Sequence, residues 1–394
     1  MKFLFVCTHQ IQNLIPLFVE LNKKKEIDFK VLYWDKINQI HFDPLFNQKI
    51  NFNINYFEGY NFHCLIDSKD NTKEISKILN KLLVSFKLVK YLLRENSDVI
   101  LVYGYYFPHL ITLMIAKLLG KKTVMRSVSY NLGKRNLIKR FLRHCYYRFT
   151  NLFINEFWSV NLLNTEFFIN FAVNENKITL IPSSQINQEF VFKNNEEDFE
   201  LIKNKTINEN NLLINKKILL YSGKFVKKKR PIFLIEAFIN ANISDDWVLL
   251  LAGGGGFYHS EVLDLINKKK LKNVFFLGFK DLKEILVLYD MSEIVVLPSD
   301  FGETNGNVLL EASQFNCALI ASDRVGLYPE ILKNKIGLVF DAMNKNELSA
   351  KIEELTSNNK LREQLQKNNL EYSKKIQPSY AANKICEILK KNEV

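Results

Sequence analysis

Leu297-Pro298-Ser299-Asp300-Phe301-Gly302-Glu303-Thr304-Asn305-Gly306-Asn307-Val308-Leu309-Leu310-Glu311-Ala312 passes from an apolar, strand-length run through a polar turn into a helical pattern. Such a passage marks the carboxyl edge of an α/β sheet. Ligands in these folds sit beyond the carboxyl ends of the strands, and free amides at the following helix start attract phosphate. Glu303 lies in the turn and Glu311 eight residues later, about two helical turns below it on the cleft-facing side. By themselves these read more readily as two solvated glutamates flanking a helix start.

The surrounding sequence repeats the pattern. Ile218–Tyr221, Val248–Leu251, Val274–Leu277, Ile294–Leu297 and Leu319–Ile320 read as strands, as do Phe3–Val6, Phe29–Tyr33, Val99–Tyr103 and Thr123–Met125 in the first half. Several lack polar alternation, as strands buried on both faces do. Amphipathic segments of helical length, such as Lys73–Arg94, Pro231–Asn240 and Leu282–Tyr289, separate them, and this alternation predicts doubly wound sheets. At roughly 150 residues per domain, 394 residues make two. From Gln185 to Asn215 the chain is rich in Asn, Glu and Lys, with little patterning that would serve a core, so the boundary is placed there. The expected domains are 1–184 and 185–372, the second ending in a charged helical run, Lys345–Leu370. A C-terminal segment, 373–394, carries a last helix, Tyr380–Lys391, expected to pack back on the first domain.

A hydrophobic content of 47% with 24% charged residues excludes global disorder. No stretch reaches the roughly 18 apolar residues of a membrane span; the nearest, Tyr105–Leu119, contains Pro108, His109 and Lys117. The start lacks the features of a secretion signal, and five scattered cysteines suit a reducing compartment, so a cytoplasmic location is expected. A net charge of +12 favours anionic partners, although the abundance of Asn, Lys and Ile attributes part of it to composition. No nucleic-acid module appears, and nucleic acid is not an expected partner. The histidines form no HxH or HExxH and the cysteines no zinc spacing, so no metal site is expected. G-x-S-x-G and P-loop motifs are absent.

Two further loops leave strands. Tyr221-Ser222-Gly223-Lys224-Phe225-Val226-Lys227-Lys228-Lys229-Arg230-Pro231 is strongly cationic, with Pro231 suited to a first helical turn. It reads as a clamp for a diphosphate or as a solvated basic run. Ala252-Gly253-Gly254-Gly255-Gly256-Phe257-Tyr258 invites a dinucleotide reading, but Tyr258 occupies the third glycine position of the fingerprint, and a plain strand-to-helix turn fits better.

Together these segments resemble the retaining glycosyltransferases of the GT-B fold, in the family known as GT4. Glu303 to Glu311 is similar to the family's E-x7-E motif, and Ser222-Gly223-Lys224-Phe225 with Lys229 resembles its G-R-L-x-x-x-K loop. Ala252-Gly253-x-Gly255, Phe276-Leu277-Gly278-Phe279, Gly326-Leu327-Tyr328-Pro329-Glu330 and Gly337-Leu338-Val339-Phe340 match in order and spacing. The resemblance implies an α/β protein of two Rossmann-like domains facing across a cleft, with acceptor bound by the first and nucleotide-sugar by the second. Carried over, Lys224 and Lys229, beside Gly223, bind the donor diphosphate, and Glu311 holds the ribose. Backbone at Gly278 and Phe279 meets the base, Glu303 contacts the transferred sugar, and the backbone of Thr304, Asn305, Gly306, Asn307 and Val308 lies near sugar and phosphates. Glu303, Lys229 and Lys224 carry the chemistry, without metal or cofactor, on a UDP-sugar in preference to a GDP-sugar. The family usually has Arg at the first basic position, so Lys224 keeps the charge and loses the bidentate fork. Asp245-Asp246 is not the DxD of the other main glycosyltransferase fold.

The first half matches less closely. Cys7-Thr8-His9-Gln10 lacks the glycine-rich turn of many relatives. Met125-Arg126-Ser127 stands where many have a strand-end His, and Arg126 is expected to face the cleft. His9, Tyr103, His109 and Arg126 are the acceptor-side candidates, with core packing the competing reading for the aromatics. Within 131–153, Lys134, Arg135, Lys139, Arg140, Arg143 and Arg148 interleave with Leu137, Ile138, Phe141, Leu142, Tyr146, Tyr147 and Phe149. This basic amphipathic helix fits an anionic membrane surface, at the inner face of the plasma membrane, or an ordinary surface helix. The resemblance implies transfer of a sugar to a glycan or lipid-linked hydroxyl in bacterial polysaccharide, lipopolysaccharide or glycolipid synthesis. The alternative is a non-catalytic partner of the same fold.

Overall fold

The computed structural model describes residues 1–36, 41–43, 48–50, 55–66, 77–130, 137–193, 195–209, 213 and 215–391. The chain divides into two compact units, Met1–Asn38 with Asn55–Ser184 and Pro378–Val394, and Gln39–Ile54 with Gln185–Gln377.

The elements of the first half are β1 (Lys2–Cys7), α1 (Ile15–Asn22), β2 (Asp28–Asp35), the antiparallel pair β3 (His41–Asp43) and β4 (Gln48–Ile50), β5 (Phe62–Ile66), α2 (Lys77–Leu92), β6 (Val99–Tyr103), α3 (Phe107–Leu118), β7 (Lys122–Ser127), α4 (Leu137–Asn151), β8 (Glu156–Ser159), α5 (Leu162–Asn170) and β9 (Ile178–Leu180). The first unit is a parallel sheet in the order β5-β2-β1-β6-β7-β8-β9. Phe3 to Cys7 are all buried, which explains the unalternating apolar reading of β1. Leu4, Val6, Ile100, Val102 and Met125 meet Leu88, Leu113, Phe167 and Phe168 in one core cluster. Phe3, Phe5, Phe18, Phe29 and Trp158 interlock in a second aromatic group.

The second half continues with α6 (Gln188–Phe192), α7 (Glu196–Glu209), β10 (Lys217–Lys224), α8 (Pro231–Asn240), β11 (Trp247–Gly254), α9 (His259–Lys268), β12 (Val274–Gly278), α10 (Leu282–Asp290), β13 (Ile294–Leu297), α11 (Asn307–Ala312), β14 (Ala318–Ser322), α12 (Tyr328–Asn334), β15 (Gly337–Phe340), α13 (Lys345–Ser357), α14 (Asn359–Ser373) and α15 (Pro378–Lys391). Its sheet is parallel, ordered β12-β11-β10-β13-β14-β15. The order reverses between β10 and β13, as it does between β1 and β6 in the first unit. Such a reversal opens a crevice between the loops that leave the two strands.

One expectation needs correction, and two gain detail. The polar segment 185–215 does serve a core: Phe192 and Phe199 are buried and meet edge-to-face with ring centroids 5.1 Å apart. Ion pairs Lys203–Asp290 and Lys283–Asp198 hold α7 on α10. Two aromatics among many charges were too sparse to show a helical period. The run 345–370 is two helices, because Asn358 leaves helical geometry and its side chain caps α14 at the Leu361 amide. The second unit runs to Gln377, beyond residue 372; α15 lies in the first, where it packs on α1 with Lys24 bonded to Asn383.

Candidate active site

At the reversal of the second sheet, the loops after β10 and β13 bind each other. The first makes a tight turn in which the Lys229 amide donates to the Val226 carbonyl at 2.9 Å. Arg230 then adopts a left-handed conformation, φ +50°, and Pro231 opens α8. The Asp300 amide of the second loop donates to the Lys228 carbonyl at 3.0 Å. Across this brace the Lys229 ammonium donates to the Glu303 carboxylate, with side chains only 14% and 16% exposed.

The Glu303 loop is held from its other side as well. Glu303 forms a parallel bridge with Val325, and the Gly326 amide donates to the Glu303 carbonyl at 2.8 Å. A Cβ on Gly326 would lie 2.0 Å from the Thr304 carbonyl oxygen, so glycine is required for this approach. The Gly326 motif thus supports Glu303. The glycines that end β11 have a similar role: a Cβ on Gly253 would lie 2.1 Å from the Gly223 carbonyl oxygen. Close packing against the cationic loop accounts for it.

Glu311 sits on α11, where it accepts a 3.0 Å hydrogen bond from the buried Tyr289 hydroxyl. Burial raises its carboxyl pKa to about 7, against the lowering influence of Tyr289 and the Lys229 charge. Lys229 therefore acts on both carboxylates. Gly223 borders the same group, its Cβ direction meeting Lys229 Cδ at 3.8 Å. Lys224 ends β10, partly exposed, its carbonyl accepting from the Tyr221 hydroxyl at 3.1 Å. Asn305 is buried and donates to Asn307 at 2.7 Å, while Gly306 caps α11 with φ +71°. Thr304 and Val308 are partly exposed beside them. Gly278 and Phe279 lie at the end of β12, on the sheet edge, with open space where a Gly278 Cβ would be. Sequence reasoning missed Tyr289, which looks like any aromatic closing an amphipathic helix.

The first unit treats its candidates differently. His9 is exposed after β1, 2.9 Å from the Thr8 hydroxyl. Tyr103 ends β6 and stacks on Phe5, and burial raises its pKa to about 12. His109 is buried at the start of α3, with Nδ1 2.7 Å from the Gly104 carbonyl oxygen and its ring against Trp34 and Tyr106. Burial pulls its pKa down to about 4, leaving it neutral at pH 7. The expectation that Arg126 faces a cleft is not met. Its side chain is buried and donates to the carbonyls of Ile181 and Pro182 at 3.0 and 3.3 Å. Those carbonyls follow β9 and need a donor, which the guanidinium supplies.

Residues 202–372 match the family model described as "Glycosyl transferases group 1". The match covers 171 of the 394 residues. The chain is 31% identical, over 60% of its length and 60% of the relative's, to the N,N'-diacetylbacillosaminyl-diphospho-undecaprenol alpha-1,3-N-acetylgalactosaminyltransferase of Campylobacter jejuni. It is 30% identical, over 41% of its length and 47% of the relative's, to an uncharacterized glycosyltransferase of Methanocaldococcus jannaschii. The matched segments thus span about half the length of these curated relatives. Among solved structures, HepE of Anabaena in complex with UDP superposes with a TM-score of 0.70 at 14% identity, covering 99% of this chain and 100% of that one. WaaG, a glycosyltransferase involved in lipopolysaccharide biosynthesis, gives 0.63 at 13%, covering 98% and 99%. These likenesses, with the two parallel sheets, show the GT-B fold.

Proposed function

We propose that this protein is a retaining glycosyltransferase moving a sugar from a nucleotide-sugar to a glycan or lipid-linked hydroxyl. The observation that carries the reading is the Lys229–Glu303 pair with Glu311 in the Lys229 field, at a sheet reversal within a group 1 segment. Lys229 and Lys224 neutralise the leaving diphosphate, Glu311 accepts from the ribose hydroxyls, and Glu303 orients the sugar. Gly278 and Phe279 offer backbone to the base, and the backbone of Thr304 to Val308 lines the sugar and phosphates. The bond from the anomeric carbon to the diphosphate oxygen breaks as the acceptor oxygen bonds on the same face. The acceptor proton passes to the departing phosphate oxygen, so charge stabilisation replaces a side-chain base. A UDP-sugar is favoured because HepE structures hold UDP and UDP-glucose. A lipid-linked acceptor is favoured by the undecaprenol-linked substrate in the name of the Campylobacter relative. Residues 1–184 with α15 would serve as the acceptor domain, with His9 and Tyr103 at its sheet edge.

A lipid-linked acceptor agrees with α4. Leu137, Ile138, Phe141 and Leu142 are 61–77% exposed, beside exposed Lys139 and Arg140. No Asp or Glu occurs between Asn131 and Asn155. Lys134 and Arg135 lie outside the described residues. We assign this face to an anionic bilayer, at the inner side of the plasma membrane, where apolar side chains insert and cations meet headgroups. Among the described residues no helix is long and apolar enough to cross a membrane. Vesicles with phosphatidylglycerol should bind the protein and pure phosphatidylcholine should not; Phe141→Glu should abolish binding, and retention by that variant refutes this face. For the catalytic reading, UDP, GDP and ADP are titrated calorimetrically into wild type, Lys229→Ala and Glu311→Ala. Binding of one nucleotide, lost in both variants, is expected; absence of all binding overturns the donor site.

A further inference from the structure

The proposed reaction assigns Lys229 to the donor diphosphate, yet its ammonium is bonded to Glu303. We infer that Glu303 and the diphosphate compete for Lys229, and that their exchange is what frees Glu303 to meet the sugar. The inference rests on the donor-site reading and adds to it a role for Glu303 before chemistry.

Three observations support the exchange. First, the pair is mostly covered, and a mostly covered charge is costly to leave unpaired, so neither partner is released without a substitute. A diphosphate, multiply charged and rich in acceptor oxygens, can replace one carboxylate; a neutral hexose or nucleoside cannot. Second, both backbones are fixed. Lys229 is held by the hydrogen bond from its amide to the Val226 carbonyl and by the turn into α8, and Glu303 by Val325 and Gly326. The exchange is therefore a rotation of two side chains on a braced frame. Third, the partners come from separate loops, 74 residues apart in sequence, so the bond also ties the cationic loop to the sugar-side loop. Discrimination follows: sugar without diphosphate meets a Glu303 already engaged, and diphosphate turns it loose.

The test separates this competition from a simple contact. Glu303→Gln keeps the size of the side chain and removes its charge. Titrated with whichever of UDP, GDP or ADP binds the wild type, it should bind about three- to tenfold more tightly. Its turnover of the matching nucleotide-sugar should nevertheless fall. Glu303→Asp, which withdraws the carboxylate by one methylene, should tighten binding by a smaller factor and provides a second variant if Glu303→Gln melts early. The free nucleoside should bind all three proteins alike. Unchanged or weaker nucleotide binding in both variants, with binding still lost in Lys229→Ala, overturns the competition and leaves the donor site standing. Wild-type binding that survives Lys229→Ala, or no nucleotide binding at all, removes the donor-site reading and this inference with it.

Discussion

The two sheets reverse their strand order in the same way and use the resulting edges in opposite ways. Beyond β10 and β13, Lys229 pairs with Glu303 on loops braced by backbone bonds, and Glu311 accepts from Tyr289 of α10. Beyond β1 and β6, Tyr103 and His109 are packed among aromatic rings. On β7, the buried Arg126 gives one donor from each terminal nitrogen to the carbonyls of Ile181 and Pro182. The same architecture therefore supplies a crevice twice, and what occupies the loops decides whether its polar groups meet one another or pack singly among aromatic rings. Charge near a strand end is a weak guide until its partners are known.

The sharpest way to break this contrast is Lys229→Ala. Transfer should fall by about 100- to 1000-fold, as when one stabilising donor is removed from a developing anion. Near-normal turnover in a nucleotide-sugar assay would place the site elsewhere. Arg126→Ala should instead cost stability, about 3 kcal/mol for two orphaned carbonyls, and lower the melting temperature by roughly 6–12 °C. Turnover per folded molecule should stay near wild type; a large loss without a change in melting would return Arg126 to the acceptor site.

Smaller effects sharpen the picture. Gly326→Ala forces a methyl against the Thr304 carbonyl and should cost about 1–3 kcal/mol together with weaker donor binding, measured by melting and calorimetry. An unchanged donor affinity would detach the Gly326 loop from the placement of Glu303. The gentlest test is pH. Burial raises Glu311 to about 7 from its ordinary 4.5, so the folded state holds its proton more tightly than the unfolded chain. The stability this contributes is full below pH 4.5 and is lost as pH rises through 7. Relative to Glu311→Gln, the wild type should lose on the order of 5 °C in melting temperature between pH 4.5 and 8. Parallel curves would show that the Glu311 carboxyl is not buried.

Much of the second unit was legible because its chemistry is written in consecutive residues. Leu297 to Ala312 gives strand, turn and helix in order, and the cationic loop precedes Pro231 in the same way. Phe192 and Phe199 were hidden because their burial is made by α10, which is remote in sequence. Arg126 misled for a related reason: its position at a strand end was readable, but the carbonyls that claim it lie 55 and 56 residues further on.

By itself, the sequence determined the alternation of strands and helices, the two sheets and the loops that carry the charged groups, because periodicity and turn chemistry act between near neighbours. The tertiary structure decided which charges meet. Placing β13 beside β10, past the intervening β11 and β12, joins Lys229 to Glu303, and packing α10 under α11 brings Tyr289 to Glu311. Strand order and burial set those pairings, and both come from contacts between residues that no local pattern connects.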